Sequence, residues 1–180
     1  MKLFISILSL SIIILLNSCA GTSALDKALS NPLAVKKLKI SNTNLKTLPP
    51  EIAKMKNLKT LEIFRTGFET LPAEIGELEN LETLIISSNN LTKLPSSIGN
   101  LKKLKKLTLT HNNLKELPES LGELTELVEL RLEYNQLQKL PSGIGQLKNL
   151  EFLFLNNNDL TELPVGIGGL KAIHFLVIGK

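Results

Sequence analysis

Leu81-Glu-Thr-Leu84-Ile-Ile86-Ser-Ser-Asn89-Asn-Leu91-Thr-Lys-Leu94-Pro95-Ser-Ser-Ile98-Gly99-Asn-Leu101-Lys-Lys103 is the stretch that decides the fold. Leu84 and Ile86 alternate with Thr83, Ile85 and Ser87, the period of two expected of a strand with one buried face. Asn89 follows, then a second apolar set at Leu91, Leu94, Ile98 and Leu101. The same spacing runs without insertion from Val35 to Ala172, in copies of 23 residues that begin at Val35, Leu58, Leu81, Leu104, Leu127 and Leu150. Seven positions per copy are apolar, and all 42 of them obey the rule. At 43% hydrophobic composition, chance does not produce that. One copy is too short to bury its own apolar face, so successive coils must stack and bring their strands into a parallel sheet.

The frame L-x-x-L-x-L-x-x-N-x-L-x-x-L-P-x-x-I-G resembles the leucine-rich repeat, and its 23-residue L-P-x-x-I-G form resembles bacterial leucine-rich-repeat proteins. The resemblance covers 138 of the 180 residues. It implies an α/β-type repeat solenoid bent into an arc, with a parallel concave β-sheet and an irregular convex side. Position nine of the repeat holds Asn89, Asn112, Asn135 and Asn158, whose buried amides are expected to satisfy backbone groups left unpaired where the chain leaves the strand. Thr43 and Thr66 stand there in the first two copies, which predicts a weaker ladder at that end. Pro49, Pro72, Pro95, Pro118, Pro141 and Pro164 fix φ on the return side, where no ladder N–H is required.

The ends depart from the frame. Ser23 to Asn31 reads as a short helix, with Ser23 as N-cap, Asp26 three residues on and Pro32 stopping it. Leu25, Ala28 and Leu29 share a face that would cover the first coil. Ile173 to Ile178 begins a seventh strand, and no C-terminal cap is evident. The expected organisation is a signal peptide over 1–18, a lipid-anchor site with the capping helix over 19–34, six repeats over 35–172 and a truncated seventh over 173–180.

The address is written at the N-terminus. Leu3 to Leu16 is apolar apart from Ser6, Ser9 and Ser11, with Lys2 the sole charge ahead of it. Fourteen residues fall short of the roughly 20 needed to span a bilayer, so the run reads as the apolar core of a secretory signal. Leu16-Asn17-Ser18-Cys19 resembles a bacterial lipoprotein signal box. That resemblance implies cleavage before Cys19, lipidation of its thiol and anchoring to the cell envelope. Ala20, in place of the Asp that marks inner-membrane retention in some bacteria, points toward the outer membrane. Ser18-Cys19-Ala20 also fits ordinary signal cleavage, which would release a secreted protein, and an uncleaved anchor is the third option.

Composition narrows the function. One Cys and two His among 180 residues exclude a disulfide scaffold and a Cys-rich metal site, and leave little for His-based chemistry. The net charge of +4 comes from 21 basic and 17 acidic residues of interspersed sign, so no nucleic-acid stripe is expected. No nucleophile elbow, metalloprotease motif or phosphate loop occurs. The reading is a non-catalytic chain without cofactor or metal.

Binding has a surface to work with. Positions two, three, five, seven and eight flank the buried leucines and should project from the concave sheet. The first coil presents Lys36, Lys37 and Lys39 there, and the fourth presents Lys105, Lys106, Thr108, Thr110 and His111. Five of the seven aromatic residues fall in these slots: Phe64, Tyr134, Phe152, Phe154 and Phe175. Exposed aromatics and Arg dominate interface energies. The expected ligand-binding set is therefore Phe64, Arg65, His111, Arg131, Tyr134, Phe152, Phe154 and Phe175, centred on the C-terminal aromatics with Arg131 and Arg65 as polar anchors. The partner expected is a protein, with host surface or matrix components suggested by the resemblance alone. Two alternatives remain open: the aromatics pair with one another across adjacent strands as packing, or the edge strand 173–178 recruits a second copy into a homodimer.

Overall fold

The computed structural model describes residues 23–179, so the expected signal segment and Cys19 lie outside the described residues. Ser23 caps helix α1 (Ala24–Ser30): its hydroxyl accepts the Asp26 N–H at 3.1 Å while the Asp26 carboxylate accepts the Ser23 N–H at 3.1 Å. This reciprocal capping box satisfies donors that the helix start leaves unpaired. Leu25 and Ala28 are buried and Leu29 packs beside them, so α1 covers the first coil as its spacing predicts.

Seven strands follow: β1 (Lys37–Ser41), β2 (Thr60–Phe64), β3 (Thr83–Ser87), β4 (Lys106–Thr108), β5 (Glu129–Arg131), β6 (Phe152–Phe154) and β7 (Phe175–Val177). They form one parallel sheet in chain order. Every pairing joins residues 23 apart, so Leu38, Leu61, Leu84, Leu107, Leu130, Leu153 and Leu176 make a single row. Register is set by the apolar alternation, because a slip of one residue would turn every leucine outward. The core is one continuous column of these rows, with Phe68 the single aromatic inside it among the described residues. This is the solenoid arc expected from the repeat, with its parallel concave sheet.

The convex side is more regular than the expectation. Where irregular segments were predicted, each coil returns through a five-residue 3-10 helix, as at Ala73–Glu77, Ser96–Asn100 and Glu119–Glu123. Proline at each N-cap holds φ between −63° and −71° and aims the chain into the turn. The Gly that follows lets neighbouring turns approach: a Cβ on Gly122 would lie 2.5 Å from the Gly143 carbonyl oxygen. Among the described residues no helix is long and apolar enough to cross a membrane.

The asparagine ladder ties coil to coil. Asn112 Oδ1 accepts the Leu91 N–H at 3.1 Å, and its Nδ2 donates to the carbonyls of Ile86 at 2.7 Å and Leu109 at 3.0 Å. Asn135 and Asn158 repeat this one and two coils on. Asn89 makes the corresponding bonds to Thr66, Phe68 and Ile63, and Thr66 adds its own hydroxyl to Asn89 Oδ1 at 3.0 Å.

Candidate functional site

The sheet register sorts the concave face into three stripes. Position three runs Lys37, Thr60, Thr83, Lys106, Glu129, Phe152, Phe175, and position five runs Lys39, Glu62, Ile85, Thr108, Arg131, Phe154, Val177. Position seven adds Ser41, Phe64 and Ser87 through the paired strands. Position eight forms the rim, and there Asn42, Arg65, Ser88, His111, Tyr134 and Asn157 all take a left-handed backbone, with φ from 50° to 58°. None is glycine, so each coil accepts a conformation that L-residues adopt at some cost. The turn out of the strand is thus made at position eight, and the asparagine at position nine fills the gap the turn opens.

The structure pairs most of the expected aromatic set across adjacent coils. Phe152 and Phe175 stack with ring centroids 5.5 Å apart and planes 9° from parallel. The Arg131 guanidinium lies 4.2 Å from the centroid of Phe154, its register partner. His111 and Tyr134 stack on the rim at 4.1 Å. Tyr134 and Phe175 nevertheless stay 47% and 58% exposed, so pairing does not hide them. Phe64 and Arg65 do not join this cluster: they belong to the second coil, where Lys39 Nζ lies 5.6 Å from the Phe64 ring centroid.

Arg131 is held by two carboxylates, one of which Lys106 also holds. Its Nε donates to Glu129, its Nη1 reaches Glu133 Oε1 at 3.3 Å, and Lys106 Nζ lies 2.8 Å from the other oxygen of Glu129. The Glu129 bond raises the Arg131 guanidinium above its ordinary value. Burial pushes the Glu129 carboxyl up, but hydrogen bonds from Arg131 and Lys106 outweigh it and hold the group below 4.5. A guanidinium fixed this way presents its remaining donors and its stacked ring in one orientation.

The concave face also has a hollow away from the aromatic end. Its volume is about 560 Å³, and it spans the first five coils, with Lys39, Phe64, Arg65, Ile85, Lys106, Thr108 and Arg131 in its lining. The lining includes further hydroxyls, Ser41, Ser87, Ser88 and Thr110, and contains no carboxylate, imidazole or thiol. Such a surface offers cations and hydroxyl donors, groups suited to recognition. Among the described residues no cluster of three or more His, Cys, Asp or Glu is placed to hold a metal. Two side chains stand out from their periodic positions. Thr108 and Glu133 are each only 8% exposed, and Thr108 Oγ1 and Glu133 Oε2 have no hydrogen-bond partner. The repeat frame puts both on the open face, so spacing alone gives no sign of their burial.

Comparison with known proteins agrees with this geometry. The family model described as leucine-rich repeat region matches residues 7–130, and one described as leucine rich repeats (2 copies) matches residues 125–165. The structure of a TDR receptor is similar at 33% identity and TM-score 0.72, over 79% of this chain and 26% of that one. The plant peptide hormone receptor RGFR1 in complex with RGF2 is similar at 33% identity and TM-score 0.66, over 79% and 24%. Internalin C2 from Listeria monocytogenes shares the fold at 23% identity and TM-score 0.66, over 78% and 60%. The chain thus spans about a quarter of each receptor chain and 60% of the internalin chain. No curated protein matches the sequence. The matched region, the 23-residue register and the asparagine ladder together mean that the chain belongs to the leucine-rich repeat family.

Proposed function

We propose that this chain is a non-catalytic recognition module, displayed on the bacterial cell envelope through a lipid on Cys19, that binds a protein through the concave face of its repeat arc. The observation that carries the reading is the platform at the C-terminal coils. Phe152 stacks on Phe175, and Arg131 lies over Phe154 while clamped by Glu129 and Glu133. Preorganised aromatics beside a fixed Arg lose little side-chain entropy on binding and supply most of the energy of a typical interface. Leucine-rich repeat relatives support a protein partner, since a similar array in RGFR1 is in complex with RGF2.

The test is a photo-crosslinking residue placed at 154 in the cell-displayed protein, with Glu162 as the control position. A protein adduct at 154 and none at 162, abolished by Phe152→Ala, supports the reading. Adducts independent of Phe152 remove the platform from it. Intact mass of the mature protein tests the anchor separately. A species beginning at Cys19 with added diacylglycerol supports it, and one beginning at Ala20 or Gly21 without added mass makes this a secreted binder.

A second reading has its own observation. Phe175, Leu176 and Val177 of β7, which pairs with β6, and Ile178 just beyond it are exposed large hydrophobics. Exposed apolar side chains grouped in this way favour association, so self-association is the alternative. Sedimentation of residues 20–180 as a monomer at about tens of micromolar counts against it.

A further inference from the structure

We propose that the hollow over the first five coils is a second subsite, which takes an acidic, extended segment of the protein partner. The inference rests on the protein-binding reading above and names the chemistry of one part of that partner. Two observations point to it independently.

The first is charge. Lys106 and Arg131, at one end of the hollow, are compensated by Glu129 and Glu133. Lys39 and Arg65, at the other, have no carboxylate within 4 Å among the described residues. Lys39 lies against the Phe64 ring, and Arg65 is exposed on the rim at φ 50°. A carboxylate arriving there meets two cations beside the apolar side chains of Phe64 and Ile85, while Glu62, between Lys39 and Ile85 in the stripe, is already paired with Lys37 at 2.6 Å.

The second is an orphaned donor. Thr108 sits on the fourth strand in the lining of the hollow, 8% exposed, and its Oγ1 has no hydrogen-bond partner. Thr110, on the same coil, spends its hydroxyl on Ser87 at 3.0 Å, so no neighbour stands in for the missing acceptor. A carboxylate or backbone carbonyl of a bound segment would supply it.

Geometry selects a chain over a single ion. Lys39 and Thr108, the uncompensated cation and the orphaned hydroxyl, occupy the same stripe three strands apart. At about 4.8 Å per strand that is roughly 14 Å, the length of about four extended residues. No lone anion bridges that distance. An extended peptide with acidic side chains on alternate residues covers it, with its intervening apolar residues against Phe64 and Ile85.

The experiment uses the full-length chain in nonionic detergent and a fluorescein-labelled heptapeptide of alternating Glu and Val. Its counterpart carries Gln for Glu, and inorganic sulfate serves as competitor. Expected are saturable binding of the Glu peptide, at least tenfold weaker binding of the Gln peptide, and a loss of about tenfold on Lys39→Ala with Arg65→Ala. Thr108→Val should weaken the Glu peptide severalfold while raising the melting temperature, because it removes an unpartnered hydroxyl at constant shape. A purely structural Thr108 would not give that opposition. No binding of the Glu peptide, equal binding of both peptides, or sulfate displacing the peptide at equal concentration would each overturn the subsite. Peptide binding that depends on Phe152 and Phe154 but not on Lys39 and Arg65 would overturn it too, while leaving the protein-binding reading intact. Failure of that reading shows elsewhere, as absence of a protein adduct at 154.

Discussion

His111 and Tyr134 lie ring on ring, centroids 4.1 Å apart and planes 8° from parallel, on two consecutive coils whose backbones both turn left-handed at these residues. The stack follows from the backbone: the same φ on adjacent coils launches both side chains along the same direction at the sheet spacing. Each residue sits in a conformation that L-residues adopt at some cost, and the stack offsets part of it. A double-mutant cycle with His111→Ala and Tyr134→Ala isolates the pair from that backbone cost, which both variants share. The coupling energy read from urea unfolding should be about 0.5–1.5 kcal/mol. Additive single effects would mean the rings are neighbours without being partners.

The ladder predicts a gradient along the arc. Asn112→Ala strands the Leu91 N–H and the Ile86 and Leu109 carbonyls that it now serves, all in the interior. Losing buried partners of this kind should cost about 2–4 kcal/mol. Thr43 occupies the same repeat position in the first coil, and its hydroxyl makes no hydrogen bond among the described residues, so Thr43→Ala should cost less than about 0.5 kcal/mol. Urea midpoints of the two variants check the contrast. Equal losses would refute the view that the amide, and not the position, ties the coils together.

What could be read from sequence and what could not divides along physical lines. The alternation at Leu84 and Ile86 specifies β3, and the 23-residue spacing specifies the register, because burial of one face leaves no second solution. The capping box at Ser23 and Asp26 is local and was equally legible. The left-handed turn at position eight was not. The residues there, among them Arg65, Ser88, His111 and Tyr134, share no chemistry and include no glycine to announce positive φ. In the site, the stacking of Phe152 on Phe175 follows from their spacing of 23. Compensation of the concave cations does not, since Arg131 takes carboxylates from its own strand segment while Lys39 finds an aromatic ring. The orphaned hydroxyl of Thr108 has no sequence signal, because it depends on what every neighbour does with its own donors and acceptors.

The charge network around Arg131 should make itself felt on acidification. Burial and hydrogen bonding oppose each other at Glu129, and bonds from Arg131 and Lys106 win, so its carboxyl titrates lower in the folded chain than its ordinary 4.5. Its contribution to stability is therefore complete above about 4.5, where the unfolded group is already ionised, and fades as pH falls through the lowered folded value. Glu129→Gln removes this dependence. At pH 7 the variant should be less stable by about 1 kcal/mol, the scale of a partly exposed ion-pair network, and the gap should close toward pH 3. Parallel unfolding curves with a constant gap between pH 7 and 3 would show that Glu129 acts through packing alone.

The convex glycines give the sharpest test of how tightly the coils are stacked. A Cβ at Gly122 would meet the Gly143 carbonyl oxygen at 2.5 Å and its carbonyl carbon at 3.0 Å. Those atoms are backbone of the next 3-10 helix and cannot swing aside as a flexible side chain would. The coils must separate there, and Gly122→Ala should destabilise by about 1–3 kcal/mol, the usual range for overpacking. Gly168, at the same repeat position two coils on, has nothing within 4 Å of such a Cβ among the described residues. Gly168→Ala meets no obstacle and narrows the freedom of the unfolded chain, so it should leave stability unchanged or raise it by up to about 1 kcal/mol. The two variants introduce the same methyl group into the same turn, and the neighbouring coil's backbone is what distinguishes them. If both destabilise alike, the glycine is required by the turn itself and the close approach of coils is incidental to it.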